Sequence, residues 1–315
     1  MSLAVVIVSF NALEHLRACL QSAELNCPAR IVVADNGSSD GSAEMVRREF
    51  PSVIVDVDPS NPGYGAGGNR GIRHCGSADV LLLNSDTRLR PGALGALERY
   101  LNEHPRAGIV GPRLLSPEGL LERSCFRFPS PLRPPLREDP VDRVLMHIPW
   151  LGERCLAGWS HDGPRIVPWV TGAALIIRRR TFDAVGGFDE SFFMYGEEID
   201  LCYRARQCGW ETHFAPVADV IHVGAVSTRQ RRAVMLAQGW TSAMQFYRRH
   251  YSGIGLATAW SVMAAAMVLR IVRDTVRLAL AVNERRRRHL AENMAAWRLA
   301  VDREIHSGRR ARSAE

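Results

Sequence analysis

An apolar run at 80–83 stops abruptly at Asn84-Ser85-Asp86. Open parallel sheets bind ligands just beyond the carboxyl ends of their strands, so a carboxylate in that position is placed for ligand chemistry. Hard divalent cations choose carboxylate oxygens and keep phosphate as a co-ligand, which suits Asp86 to a metal and phosphate site. Asn, Ser and Asp are also common turn formers, and a plain turn is the competing reading. Further along, Glu197, Glu198 and Asp200 cluster just after Gly196. They are either chemistry-bearing carboxylates or ordinary acids at a helix start, where the positive dipole end tolerates them. Asp200 and Arg204 have the spacing of a structural ion pair. His222 falls on a loop with Val223 and Gly224; it is either a satisfied polar residue or a metal ligand, since neutral imidazole is a common one.

The elements that must position these residues follow from periodicity. Residues 3–9 form a β-branched run without alternation, the mark of a central parallel strand. Asn11 is placed to cap a helix running to about Asn26, with Leu13, Leu16 and Leu20 at helical spacing. Residues 30–34 repeat the strand pattern and end at Asp35-Asn36, before a Gly/Ser loop and a helix over 42–49. A third strand at 53–57 leads into a Gly-rich loop over 61–71 and a short helix. After the 80–83 strand, Pro91 opens a helix to about Asn102, where its missing N–H costs nothing. Strands alternating with helices predict a doubly wound α/β fold with a mostly parallel sheet and right-handed crossovers. The polar strand ends then gather along one edge.

Gly63, Gly65 and Gly68 spell G-x-G-x-x-G, with Asp86 downstream as a dinucleotide fold would want. The motif follows the third strand rather than the first, which leaves packing glycines or close approach of a nucleotide as the other readings. From 111 to 168 the periodicity dissolves among prolines, predicting an irregular insertion that serves as a lid or an acceptor-side loop. Residues 169–178 read as a further strand, and the helix opened by Glu197 buries Leu201, Ala205 and Cys208. Two short strands follow, at 212–215 and 219–222.

With 315 residues and 46% hydrophobic content, the chain supports one large or two modest domains with a proper core. Its net charge of +7 is uneven: from Arg248 onward fourteen Arg face six acids, a balance of +8, and 1–247 carries −1. All forty basic residues are Arg. A neutral body with a basic tail is unlike a nucleic-acid binder, whose basic patch lies on the folded surface. Seven cysteines with no Cys-x-x-Cys pair point to a reducing cytosol, and the apolar start lacks the basic lead and cleavage site of a secretory signal.

Taken in order, Val8-Ser-Phe-Asn11, Asp35-Asn-Gly-Ser-Ser-Asp-Gly-Ser42, the Asn61-Pro-Gly-Tyr stretch to Gly71, Leu83-Asn-Ser-Asp-Thr87, Thr171-Gly-Ala173, the run from Gly187 to Arg204 and His222-Val-Gly224 resemble a known family. It is family 2 of the inverting, nucleotide-sugar-dependent glycosyltransferases, of GT-A fold, and within it the bacterial rhamnosyltransferase branch. The resemblance implies that Asp35 bonds the donor's pyrimidine, with Ser9, Asn11 and Asn36 lining the pocket. Gly63, Tyr64, Gly65 and Asn69 would bracket the nucleoside and sugar, and Asn84, Ser85 and Asp86 would meet the diphosphate. Asp86 and His222 would hold Mg²⁺ or Mn²⁺, a Lewis acid for the leaving group. Asn84 stands where the family often has a second acid, which leaves Asp86 as the direct carboxylate. Glu198 matches the general base, and Glu197 would orient it or the acceptor. Thr171, Gly172, Asp200 and Arg204 fall on the acceptor and structural side.

The expected organisation is a catalytic domain over 1–228, made of halves 1–111 and 169–228 around the insertion 112–168. A basic, helical, amphipathic region over 229–315 follows. Residues 252–269 carry no charge, and Arg270, Arg273, Arg277 and Arg285 to Arg288 follow them. This predicts an interfacial helix drawn to anionic lipid at the inner face of the cell membrane, with helices packed on the catalytic domain as the alternative. The reading is then a cytoplasmic, peripheral enzyme moving a sugar, dTDP-L-rhamnose favoured as donor, to a glycan or polyprenol-linked acceptor, with homodimerisation open. The rivals are the same fold on a UDP- or GDP-sugar, a dinucleotide-dependent oxidoreductase, and a non-catalytic carbohydrate- or nucleotide-binding scaffold.

Overall fold

A computed structural model describes residues 3–132, 156, 159–224, 232–281 and 283–312. Four apolar runs become parallel strands β1 (Ala4–Ser9), β2 (Arg30–Asp35), β3 (Ile54–Val57) and β4 (Val80–Asn84), in the order β3-β2-β1-β4. Helices α1 (Leu13–Glu24), α2 (Ser42–Glu49), α3 (Tyr64–Arg73) and α4 (Ala93–Glu103) connect or follow them. Burial on both faces is what makes such strands read as unbroken apolar runs. Val5, Ile7, Leu81 and Leu83 share one core with Leu16, Leu20 and Leu97 from α1 and α4.

Helix starts differ from expectation. Asn11 does not cap α1; it sits at φ 48°, and the Leu13 N–H donates instead to Asp40 Oδ2 at 3.0 Å. Pro91 lies outside α4, whose N-cap is the left-handed Gly92. The Gly-rich stretch is helical from Tyr64 onward, not a loop. Each interior glycine costs a helix roughly 0.5–1 kcal/mol, but a Cβ on Gly71 would lie 2.4 Å from Val6 Cγ1. The missing side chain lets α3 lie directly on β1, and that packing outweighs poor propensity.

Beyond β4 the remaining strands are β5 (Thr87–Leu89), β6 (Ala107–Leu115), β7 (Leu121–Glu122), β8 (Cys125–Phe126), β9 (Arg165–Ile166), β10 (Trp169–Val170), β11 (Ala174–Ile177) and β12 (Glu211–His222). The main sheet continues β4-β11-β6-β12-β5, with β7 on β6 and β9 on β12. β11 runs antiparallel to both neighbours, so the sheet is mixed but mostly parallel. The residues expected to form one strand at 169–178 divide between β10, which pairs β8 in a separate two-stranded sheet, and β11. The two short strands expected at 212–222 are one strand, whose register breaks between Phe214 and Asp219 around Pro216. The 111–168 stretch is less irregular than its prolines imply, since β6 reaches Leu115 and three short strands follow. Residues 133–155 of this lid or acceptor-side stretch lie outside the described residues, as does the boundary expected at 228.

α5 (Arg179–Val185) and α6 (Glu197–Gln207) complete this part of the chain. α6 buries Leu201, Cys202 and Ala205, whereas Cys208 is exposed.

The chain divides into two compact units, the second formed mainly from Thr228 onward. It contains α7 (Arg232–His250), α8 (Gly253–Ala279) and α9 (Glu284–Arg312). Trp240, Met244, Tyr247, Met263, Met267 and Trp297 make its core. Asp274 is buried there, accepting from Trp297 Nε1 at 3.0 Å and Arg273 Nε at 2.8 Å. α8 is long and apolar enough to cross a membrane by length and composition, and its most apolar window is only 17% buried. Ile254, Trp260, Val268, Leu269, Val272 and Val276 stay exposed along it.

Candidate active site

Parallel register lines up the strand tips: Ser9 opposes Asp35, and Val8 opposes Asn84. Asp35 is fully buried, and its carboxylate accepts from the Ser38 N–H at 2.7 Å and the Ser38 hydroxyl at 2.6 Å. An ionised carboxylate has about four acceptor sites, so capacity remains for a ligand's donor. Asn11 belongs to the same turn, since its Oδ1 accepts from Ser39 N–H at 2.8 Å. Asn36 Nδ2 donates to Gly63 O at 3.0 Å, tying the β2 tip to the start of α3. The Ser9 hydroxyl is buried at this edge with no hydrogen-bond partner among the described residues. Buried polar groups are generally satisfied, by protein or by ordered water.

Tyr64 is the hub. Gly63, at φ 102°, brings the chain so close to Phe193 that an added Cβ would lie 2.2 Å from its carbonyl oxygen. Tyr64 then starts α3 with its N–H donating to that oxygen at 3.0 Å and its hydroxyl donating to Gly172 O at 2.6 Å. Burial first, and then the charges of Glu197, Glu198 and Asp86, hold its phenol protonated well above the usual range. Both ends of the site are thus felt at one ring. Gly65 permits this convergence, because a Cβ there would stand 3.2 Å from Glu197 Cβ and 3.1 Å from Phe188 Cβ.

The acids opening α6 differ in exposure: Glu197 is buried and Glu198 half-buried. Asp200 is fully buried and paired with Arg204 at 2.6 Å, and Arg204 also donates to Gly187 O at 2.9 Å, which fixes α6 against the preceding loop. Asn69 clamps the same loop, accepting from Phe188 N–H and donating to Phe188 O and Glu190 Oε1, all at 2.8–2.9 Å. Thr171 joins through its backbone, N–H to Ser124 O at 2.9 Å.

At the other end, Asp86 follows buried Ser85 and immediately precedes β5, whose antiparallel register with β12 sets Thr87 opposite His222. His222 Nε2 comes within 3.5 Å of Asp86 Oδ1, while Nδ1 lies 2.8 Å from Glu122 Oε2. Burial would lower the imidazole's pKa, but Asp86 and Glu122 overcome it and raise it to about 9. Glu122 carried no signal in the sequence, since a two-residue strand has no periodicity.

The sheet is that of the GT-A glycosyltransferase fold. Among solved structures, GalNAc-T7 with UDP, GalNAc and Mn²⁺ matches with a TM-score of 0.53 and 18% identity, covering 70% of this chain and 44% of that one. The mannosyltransferase PcManGT of Pyrobaculum calidifontis, with GDP-Man and Mn²⁺, matches at TM-score 0.53 and 17% identity, covering 96% and 87%. The profile described as Glycosyltransferase like family 2 fits residues 2–241, and the chain belongs to that family and is a glycosyltransferase. It is similar to N-acetylglucosaminyl-diphospho-decaprenol L-rhamnosyltransferase of Mycobacterium tuberculosis (strain CDC 1551 / Oshkosh), at 32% identity over 295 residues, 87% of this chain and 94% of the relative. Rhamnosyltransferase WbbL of Escherichia coli K12 is 40% identical over 57 residues, 18% of this chain and 22% of the relative. The resemblance drawn from the motifs therefore holds, and the oxidoreductase reading falls with it: Gly65 and Gly68 are helical glycines packed on Phe188.

Proposed function

We propose that the protein is a metal-dependent inverting rhamnosyltransferase, moving L-rhamnose from a dTDP donor to a polyprenol-diphosphate-linked or glycan acceptor in bacterial envelope assembly. The observation that carries this is the gathering of the Glu197–Glu198 pair about Tyr64, whose hydroxyl donates to Gly172 O at 2.6 Å and where a Cβ on Gly65 would lie 3.2 Å from Glu197 Cβ and one on Gly172 3.8 Å from Glu198 Cβ, with the buried Ser9 hydroxyl at the aligned strand tips. The similarity to a rhamnosyltransferase named for a decaprenol-diphosphate acceptor supports the sugar and acceptor. A UDP- or GDP-sugar donor is the second reading, favoured by the bound nucleotides of the fold neighbours.

In this mechanism Asp35 and Ser9 hold the base, and the start of α3 carries the sugar. Glu198, half-buried where Glu197 is sealed, takes the acceptor hydroxyl's proton. The acceptor oxygen bonds to the anomeric carbon as that carbon's bond to the diphosphate oxygen breaks, and the nucleoside diphosphate leaves with the electron pair. Glu197 and the Tyr64 hydroxyl keep the neighbourhood of the base fixed. The donor set of Asp86 Oδ1 and His222 Nε2 fits Mg²⁺ or Mn²⁺ provided phosphate oxygens fill the other positions. Among the described residues no group of three or more His, Cys, Asp or Glu could hold the metal alone. The bound ion supplies Lewis-acid neutralisation of the leaving diphosphate. The exposed apolar face of α8 and the arginines after it would keep the enzyme at the cytoplasmic membrane face, where such an acceptor resides.

Glu198→Gln should lower kcat by about 10²–10⁴-fold, the usual loss on removing a general base, while dTDP binding with Mn²⁺ stays near wild type. Asp86→Asn should weaken that nucleotide binding as well. Transfer left intact in either variant overturns the mechanism. A melting screen against dTDP, UDP and GDP, each with and without Mn²⁺, separates the two donor readings.

A further inference from the structure

We infer that Glu122 is the positioning residue of the metal seat: it fixes the ring of His222 so that Nε2, not Nδ1, faces Asp86. This rests on the metal reading above. Glu122 lies on the two-residue strand β7, set by its register with β6 directly opposite Leu114. β6 in turn pairs Leu114 with Val220 of β12, two residues before His222. The hairpin of β6 and β7 therefore carries a carboxylate across to the far side of the imidazole, where Oε2 stands 2.8 Å from Nδ1. On the near side, Nε2 stands 3.5 Å from Asp86 Oδ1. A ring with Nδ1–H donating to a carboxylate presents the Nε2 lone pair outward, in one tautomer and one orientation. Ligating histidines are commonly held in this way, and loss of the outer partner typically weakens metal binding by about 10–100-fold.

Asp86 and His222 are both nine-tenths buried, while the Glu122 side chain is about one-third exposed. Glu122 is thus reached from solvent on its outer side and acts on the metal only through the ring. The arrangement also compensates for Asn84. Where a second acid would add charge directly at the metal, Glu122 supplies its negative charge one ring away, raising the basicity of the ligating nitrogen.

The test is Mn²⁺ binding in the presence of dTDP, read by loss of the free-ion electron paramagnetic resonance signal, with thermal unfolding of every variant as a folding check. Glu122→Ala should weaken Mn²⁺ binding by about 10–100-fold. Glu122→Gln, whose amide oxygen can accept the same N–H without the charge, should recover part of that loss. Glu118→Ala, an exposed acid on the same turn, should bind as wild type. Wild-type Mn²⁺ affinity in Glu122→Ala, with His222→Ala and Asp86→Ala both weakened, overturns this inference and leaves the metal reading standing. Wild-type affinity in Asp86→Ala overturns both.

Discussion

Two carboxylates of unequal exposure open α6, and the proposed mechanism divides their work on that difference. Glu197 is packed beneath α3 with only 4% of its surface exposed, which is why the proposed mechanism gives the acceptor's proton to Glu198. At the opposite end His222 lies between two acids, and without metal its folded pKa of about 9 lies above the ordinary 6.5. A raised pKa means the folded state binds the proton more tightly than the unfolded one. Its stabilisation is therefore complete below about pH 6.5 and is lost as pH rises through about 9. In chelator-treated protein, wild-type Tm should fall across that window, and His222→Gln should flatten the fall. An equal fall in both would remove His222 as its source. The positions of Asp35 and His222 at strand ends, Asp86 just past β4 and Glu198 at a helix start were legible in the sequence, because each borders a run of regular pattern. Glu122 was not, because its role depends on a strand pairing between remote residues that no local pattern records.

At the scale of elements, α3 shows where tertiary packing overrides propensity. Five glycines between 63 and 71 read as a loop, yet the segment is helical from Tyr64 and pressed onto β1 and Phe188. Gly63 cannot be replaced cheaply, since it combines φ 102° with a 2.2 Å approach to Phe193 O. Gly63→Ala should cost roughly 2–4 kcal/mol from backbone strain and overpacking together. A lower urea midpoint at unchanged m would show it, and an unchanged midpoint would mean that the Phe193 loop yields freely. The parallel βα units were legible because doubly buried strands are uniformly apolar. β12 was read as two strands because Pro216 interrupts its pattern while the ladder resumes at Asp219. β11 lost its start to β10, since Thr171 to Ala173 look no less strand-like than their neighbours.

At the scale of the molecule, the sharpest asymmetry is between a nearly neutral first part and a tail carrying +8. In the second unit α8 buries Met263, Met267 and Asp274 against its neighbours and leaves Leu269, Val272 and Val276 to solvent. An apolar stripe beside clustered arginine suits an anionic bilayer surface, each basic residue near it contributing about 1 kcal/mol. The full chain should float with phosphatidylglycerol vesicles, less with phosphatidylcholine alone, and Leu269→Glu with Val272→Glu should release it. A wild-type chain that remains in the soluble fraction with anionic vesicles would end this reading.

The antiparallel β11 has one more consequence, for the order of assembly. β1, β2 and β3 follow one another and can pair as they emerge, but β4 reaches β1 across β2 and β3, and β11 reaches β4 from roughly ninety residues away, as Ala174 opposite Leu83 shows. Distant pairings wait on the entropy of closing large loops, and chains rich in them fold slowly. The proposed base pocket at the β1 and β2 tips then belongs to the early part. The contacts among Asp86, Glu122 and His222 come late, because they need β5, β7 and β12 in register. During refolding, nucleotide recognition would precede metal retention, and a chain able to hold Mn²⁺ would be one that has finished folding.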